Sequence, residues 1–315
     1  MSIDVKFIEK FIRCTEKAAY GASSLIGKGD KNAADKAAVD PMRAELNKLD
    51  INGKIIIGEG EMDEAPMLFI GEKVGTKNGP FLDIALDPLE GTNFVANNLP
   101  NSFSVLAVAE KNNLLSAPDC YMEKIAIGAD LPKNLLDLDN SVEKNINLLA
   151  KAKNKKKEEI TVCILKRDRH NNIVNSLVKQ NVKINFIPDG DVMGVISVID
   201  KNSPIDIYMG IGGAPEGVLA AAAISCFGGQ MQTRLVLDDD NQKKRAKKMG
   251  IKDHKKKYNI EEMIKGDVMF FASAITNGDL IPGIKRDING NYEVSTYALH
   301  KSSKIFKKIT NTYKK

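Results

Sequence analysis

Tryptophan is absent from this 315-residue chain, histidine occurs three times and cysteine four times. Each scarcity removes a class of chemistry. His170, His254 and His300 are too few and too scattered for a histidine-rich metal site, so any metal here must be held by carboxylates. Cys14, Cys120, Cys163 and Cys226 stand far apart among apolar or small neighbours. That spacing matches neither a zinc pattern nor a disulfide framework and predicts buried, reduced thiols. No run of eighteen or more apolar residues occurs, and MSIDVKFIEKF at the N-terminus lacks the apolar block of a signal peptide. A cytoplasmic protein without a membrane partner is therefore expected. A composition of 43% hydrophobic and 28% charged residues is that of a globular protein with one large domain or two ordinary ones.

The formal charge of +5 is local. Residues 243–257 hold nine basic side chains and one acidic, and residues 301–315 hold six and none. Without them the remainder carries 31 basic against 40 acidic residues and is clearly acidic. A polyanion-binding protein would pair such lysines with aromatic stacking partners, and only Tyr258, Phe306 and Tyr313 lie near them. The lysine-rich segments read as solvated faces, and no nucleic-acid partner is expected.

The most informative stretch is FLDIALDPLEGTN, residues 81–93. Its apolar run predicts a strand that breaks at Pro88 into a turn holding Asp87, Glu90, Gly91 and Thr92. Two carboxylates supply hard oxygens for Mg²⁺ or Mn²⁺, and a hydroxyl beside them can hold an attacking water. Other segments offer partners. Spacings of three, four and seven between apolar residues predict a helix over 3–26, ended by Gly27 and Gly29. A second helix comes next, capped by Asp30 or Asn32, with Pro41 either starting a new segment or kinking the old one; Asp35 lies near its start. A strand at 54–57 runs into GEGEMDE, where Gly58 and Gly60 bracket Glu59 and let its carboxylate point away. Glu59, Glu61, Asp63 and Glu64 repel one another unless cations intervene.

Further strands are predicted at 102–110 and 124–128, and a boundary between halves falls in the Asn-, Asp- and Lys-rich residues 129–158. Strands and helices then alternate: strands at 159–165, 182–187 and 205–211, helices at 171–180, 192–199 and 217–226. This is the rhythm of an α/β layered domain. The loops after those strands carry Lys166 to His170, Asp189-Gly190-Asp191 and Gly212-Gly213-Ala214-Pro215-Glu216, on the edge where open α/β sheets bind ligands. In the last, two glycines let backbone amides approach an anion and Pro215 suits a first helical turn.

Taken together, the chain resembles the class II fructose-1,6-bisphosphatases of bacteria. The carrying motifs are GDKNAAD at 29–35, IIGEGEMDEAPML at 56–68, DPLEGTN at 87–93, APDCYMEK at 117–124, IPDGDV at 187–192 and GIGGAPEGV at 210–218. A weaker match continues through FASAITNGDLIPGI. The resemblance implies an αβαβα sandwich of the lithium-sensitive sugar and inositol phosphatase type in two halves: 1–158 with most metal ligands and 159–315 with the sugar-phosphate loops. It implies Mn²⁺ or Mg²⁺ on Asp35, Glu59, Asp87, Glu90 and Glu216. Glu90, Gly91, Thr92, Tyr121, Arg167, Asp168, Arg169, Asp189, Gly190, Asp191 and Gly213 match positions that contact sugar phosphate. Relatives often read Lys-Pro-Arg-His where this chain has Arg167-Asp168-Arg169-His170, and carry arginine where Asn93 stands.

The implied reaction is hydrolysis of the 1-phosphate of fructose 1,6-bisphosphate by a metal-activated water, with Thr92 orienting the water and Asp35 or Asp63 drawing on its hydroxyl. Threonine as a covalent nucleophile is disfavoured because no histidine or lysine stands beside it. Arg167, Arg169 and the Gly213 loop would hold the distal phosphate. The alternatives are a dual fructose-1,6-/sedoheptulose-1,7-bisphosphatase, an inositol-type monophosphatase and, more distantly, a polyanion-binding protein. A homo-oligomer, dimer or tetramer, is implied by the family.

Overall fold

The apolar spacing at the N-terminus produces helix α1 (Ile8–Ser23), which buries Phe11, Ile12, Ala18, Ala19 and Ala22 along one stripe. The structure, a computed structural model, describes residues 2–60 and 67–314. Helix α2 (Lys31–Leu46) begins where Asp30 caps it, the aspartate accepting from the Ala33 N–H at 2.9 Å. Pro41 lies inside α2 and does not divide it into two helices. Its missing N–H deprives the Ala37 carbonyl of its usual helical donor. Gly21 of α1 lies so close to that carbonyl that a β-carbon would overlap the oxygen. Glycine at 21 is therefore what allows α1 and α2 to pack.

The chain continues through strands β1 (Asn52–Ile57), β2 (Lys73–Val74) and β3 (Phe81–Glu90), the short helix α3 (Thr92–Ala96) and β4 (Phe103–Glu110). Next come β5 (Tyr121–Ile127), α4 (Val142–Ala152), β6 (Thr161–Leu165), α5 (Asn171–Lys179), β7 (Lys183–Ile187) and α6 (Asp191–Ile196). These are succeeded by β8 (Ile207–Gly213), α7 (Ala214–Phe227), β9 (Gln230–Val236), α8 (Asp240–Lys248), β10 (Lys257–Asn259) and α9 (Ile260–Met263). Strands β11 (Val268–Ala274), β12 (Lys285–Arg286), β13 (Tyr292–His300) and β14 (Ile305–Tyr313) close the described chain.

These elements form two units, Met1–Leu115 with Ile264–Lys315, and Ser116–Met263. The division expected at 158 falls inside the second unit. The polar residues before it contain α4, whose Ile146, Leu149 and Ala150 belong to that unit's core. In the first unit the strand order is β12-β13-β11-β4-β3-β1-β2, with β14 pairing β13. Helices α1 and α2 share a core with Leu82, Ile84 and Leu86 of β3, Leu106 and Val108 of β4, and Met269 and Phe271 of β11. Each such side chain contributes roughly 1.5–3 kcal/mol relative to leaving it exposed.

In the second unit the order is β10-β9-β5-β8-β6-β7. Strands β8, β6 and β7 are parallel, while β5 and β9 run antiparallel to their neighbours. Ile125 and Ile127 of β5, with Ile207 and Met209 of β8, form a core with residues of α4 and α5. The opposite face of β5 presents Met122 and Lys124, which meet Gly217 of α7. The layered α/β class expected from the sequence is what the chain adopts.

Candidate functional site

Within the first unit, strand β3 does not break at Pro88. It continues to Glu90 through an irregularity: Asp87 pairs with Val105 and Glu90 with Phe103, so β3 holds one residue more than its partner. Proline and leucine are accommodated there, and the extra residue cancels the alternation of the strand. Asp87 and Glu90 consequently leave the same face. The turn comes at Gly91, whose φ of 77° is left-handed. The Asp87 carboxylate accepts from the Leu89 N–H at 2.9 Å, Glu90 is buried at 4% exposure, and the Thr92 hydroxyl donates to the Leu89 carbonyl at 3.3 Å.

Asp35, on the first turns of α2, faces Asp87. Burial first and the Asp87 charge second push its pKa up to about 6. Two carboxylates that oppose each other's ionisation are a donor set suited to a divalent cation. Glu59 sits in the expected glycine bracket, where the Gly60 N–H bonds the Gly58 carbonyl and the Glu59 N–H bonds Leu68. Glu61, Asp63 and Glu64 lie outside the described residues. Among the described residues no three acidic, histidine or cysteine side chains are already gathered as a metal cluster. Asp35 and Asp87 are brought together, and Glu59 lies on the turn that follows β1. Asp83, the other aspartate of β3, is structural: it accepts from the Asn113 and Leu114 N–H groups at the far end of the strand.

The second unit holds a cleft of about 410 Å³ lined by Tyr121, Arg167, Arg169, Asp189, Asp191, Gly212, Gly213 and Glu216. Three loops predicted separately thus meet. Carbonyls hold both arginines in advance: Arg167 Nη1 donates to Pro188 at 2.6 Å, and Arg169 Nε and Nη2 donate to Ile211 at 3.0 and 2.8 Å. Arg169 also lies 4.5 Å over the Tyr121 ring. His170 is buried between Leu165 and Ile211. It receives the Ile211 N–H on Nε2 at 2.7 Å, so Nδ1 carries the proton and donates to the Leu165 carbonyl, also at 2.7 Å. Burial lowers its pKa, and it serves as a neutral clamp. Asp168 is exposed, and neither it nor Gly190 lines the cleft; Gly190 provides the left-handed residue, φ 78°, from which α6 starts. At Gly213 the Glu216 carboxylate folds back so closely that a β-carbon would overlap it.

Sequence reasoning missed several groups here. Asp119, Cys120, Asp238 and Gln242 line the same cleft. Behind its wall Asp191 binds both Lys124 and Tyr208, each fully buried. The visible signal was a lysine at an inward position of the apolar strand YMEKIAI. The four cysteines are buried, as expected. The basic segment at 243–257 covers most of α8 and extends to Lys257, the first residue of β10. Part of it is engaged in ion pairs: Lys257 binds Asp137 and Asp139 at 2.6 and 2.7 Å, and Lys256 binds Glu262 at 2.8 Å.

Residues 6–313 match the family of bacterial, glpX-encoded fructose-1,6-bisphosphatases. The chain is 44% identical over 294 residues to fructose-1,6-bisphosphatase 1 class 2 of Escherichia coli, covering 89% of this chain and 87% of that one. It is 40% identical over 319 residues to the class 2 enzyme of Haemophilus influenzae, covering 96% and 95%. It is also 40% identical over 307 residues, covering 89% and 88%, to a Trichodesmium erythraeum protein named D-fructose 1,6-bisphosphatase class 2/sedoheptulose 1,7-bisphosphatase.

Proposed function

The chain belongs to the bacterial glpX-encoded fructose-1,6-bisphosphatase family, and from that premise we propose that it hydrolyses fructose 1,6-bisphosphate to fructose 6-phosphate and inorganic phosphate. The family match over residues 6–313 carries this reading. Asp35 and Asp87 support its metal dependence, since their mutual repulsion is what a divalent cation relieves. Asp35, Glu59, Asp87, Glu90 and Glu216 would be the ligands on this reading, all oxygen donors suited to Mn²⁺ or Mg²⁺. When bound, such ions neutralise phosphate oxygens and make water more acidic.

The protein's own groups do the rest. Thr92 keeps lone pairs on an oxygen already oriented by Leu89, and these accept a hydrogen bond from the attacking water. For the relay, the Thr92 hydroxyl would turn from the Leu89 carbonyl to Asp35 or Asp63, passing its own proton there as its oxygen takes the one released by the water. Water adds to the 1-phosphorus, the bond from phosphorus to the C1 oxygen breaks, and that oxygen takes up a proton. Glu90, Gly91, Tyr121, Asp189, Asp191 and Gly213 are the groups assigned to the sugar phosphate, and Gly190 sets the turn from which Asp191 starts α6. Arg167 and Arg169 hold a phosphate in bidentate fashion with little reorganisation, because carbonyls already fix both. Asp168, being exposed, would act on the loop rather than in the cleft.

The name of the Trichodesmium relative favours a second activity, on sedoheptulose 1,7-bisphosphate. Phosphate release from fructose 1,6-bisphosphate, sedoheptulose 1,7-bisphosphate and an inositol monophosphate, each with Mn²⁺ and with Mg²⁺, tests both. Release from the inositol ester alone would overturn the proposal. No helix among the described residues is long and apolar enough to cross a membrane. We place the enzyme in the cytoplasm as a homo-oligomer, dimer or tetramer, which sedimentation of the purified protein checks.

A further inference from the structure

We propose that Lys124 and Tyr208 are positioning residues for substrate binding: they hold the Asp191 carboxylate at the wall of the cleft as an oriented acceptor for a sugar hydroxyl. The proposal rests on the bisphosphatase reading above. Lys124 on β5 is 1% exposed, and its ammonium meets Asp191 Oδ2. Tyr208 on β8 is fully buried, and its hydroxyl donates to Oδ1. These partners come from three separate elements, so the cluster is a product of the fold and not of a local turn.

Stability does not account for it. Removing two charges from water is costly, and well-packed apolar residues commonly replace a buried ion pair at no loss. Placement accounts for it better. Asp191 is 6% exposed, lines the cleft, and lies against Gly212, where a β-carbon would overlap its carboxylate. A carboxylate offers about four acceptor positions, and Lys124 and Tyr208 use one on each oxygen. The capacity that faces the cleft suits a hydroxyl donor. Charge adds a second reason: five carboxylates and two arginines line the cleft, an unfavourable balance for an anionic substrate. Lys124 behind the wall neutralises Asp191, so this carboxylate can accept a hydroxyl without adding its full repulsion of phosphate.

The test measures KM and kcat for fructose 1,6-bisphosphate, together with thermal unfolding, in Tyr208→Phe, Lys124→Met, Asp191→Asn and the pairwise combinations with Asp191→Asn. Loss of one charge-assisted bond predicts a KM raised about tenfold in Lys124→Met and about threefold in Tyr208→Phe, with kcat changed less. In the Asp191→Asn background neither change should raise KM further, because both act through Asp191. Should Lys124→Met fail to fold, Tyr208→Phe and the double variant Lys124→Met/Asp191→Asn, which removes both charges, still decide the matter. A folded Tyr208→Phe with wild-type KM overturns the proposal, as does an effect of equal size with and without Asp191. A lowered unfolding temperature at unchanged KM assigns the cluster to stability alone and also overturns it. Wild-type protein that releases no phosphate sinks the bisphosphatase reading and this proposal with it, whereas an active wild type with unaffected variants sinks only the latter.

Discussion

Gly213→Ala separates the role of Glu216 from the stability of the fold. Gly213 has φ −66° and ψ 145°, an extended conformation open to any residue, so alanine brings no backbone strain. Losing the flexibility of glycine in the unfolded chain stabilises by about 0.4–1 kcal/mol. Gly213 is also the N-cap of α7, and alanine caps a helix less well by roughly 1 kcal/mol. These two effects nearly cancel, and the unfolding temperature should move by no more than about 3 °C. The new β-carbon, however, would overlap Glu216 Oε2 and lie 2.7 Å from its Cδ and 2.9 Å from Oε1. A flexible side chain yields more easily than backbone, so Glu216 must rotate away. If Glu216 helps hold Mn²⁺, its withdrawal should weaken apparent Mn²⁺ affinity roughly 10–100-fold, or about 1.4–2.7 kcal/mol. The assay is phosphate release titrated with Mn²⁺, beside calorimetric Mn²⁺ binding. Activity should return in part at high Mn²⁺. A folded Gly213→Ala with wild-type Mn²⁺ dependence would refute the role of Glu216.

Other perturbations probe separate parts of the molecule. Thr92→Ala should lower turnover on the order of 100-fold or more while Mn²⁺ binding stays near normal; unchanged turnover removes Thr92 from the reaction. Gly21→Ala drives a β-carbon into the Ala37 carbonyl, part of a backbone that cannot swing aside. A loss of about 1–3 kcal/mol in urea unfolding is expected, and wild-type stability would contradict the packing of α1 on α2. Asp267 gives a pH test. Burial pushes its carboxyl up, but bonds from His300, the Ile3 N–H and Ser302 more than reverse that and leave it below the usual range. A folded pKa below the unfolded value of about 3.9 means the stabilisation is fully present above that value and is lost as pH falls through the folded pKa. Asp267→Asn should therefore cost stability at pH 7 and flatten the acid limb below about pH 4, as read by urea unfolding; a parallel curve would rule the group out.

Local rules made much of this legible. Asp30 as a cap, the strand carrying Asp87 and Glu90, the glycines around Glu59 and the alternation after residue 159 each arise from spacing and chemistry within a few residues. Features set by distant partners did not show. The break expected at Pro88 became an irregularity because β4 supplies partners on both sides of it, Val105 and Phe103. Helix α4 was hidden by its polar composition, although Ser141 capping and Ile146, Leu149 and Ala150 at helical spacing were there to be found. Strand β14 was missed because its lysines suggested a solvated tail, whereas it pairs with β13 over nine positions. Lys124 and Tyr208 stand 67 and 17 residues from Asp191, and no local pattern announces such a contact.

The division of the chain bears on how it is made. The first unit is assembled from Met1–Leu115 and Ile264–Lys315, with the other unit inserted between. During synthesis from the N-terminus, β4 must wait for β11, which pairs with it from Val268 to Ala274. For that interval an apolar strand edge has no partner, a known opening to misassembly. The inserted unit is continuous and is free to fold first. Carboxylates Asp35 and Asp87 therefore sit in a scaffold completed only when the last segment has been translated, so incomplete chains should fail to acquire metal-dependent activity.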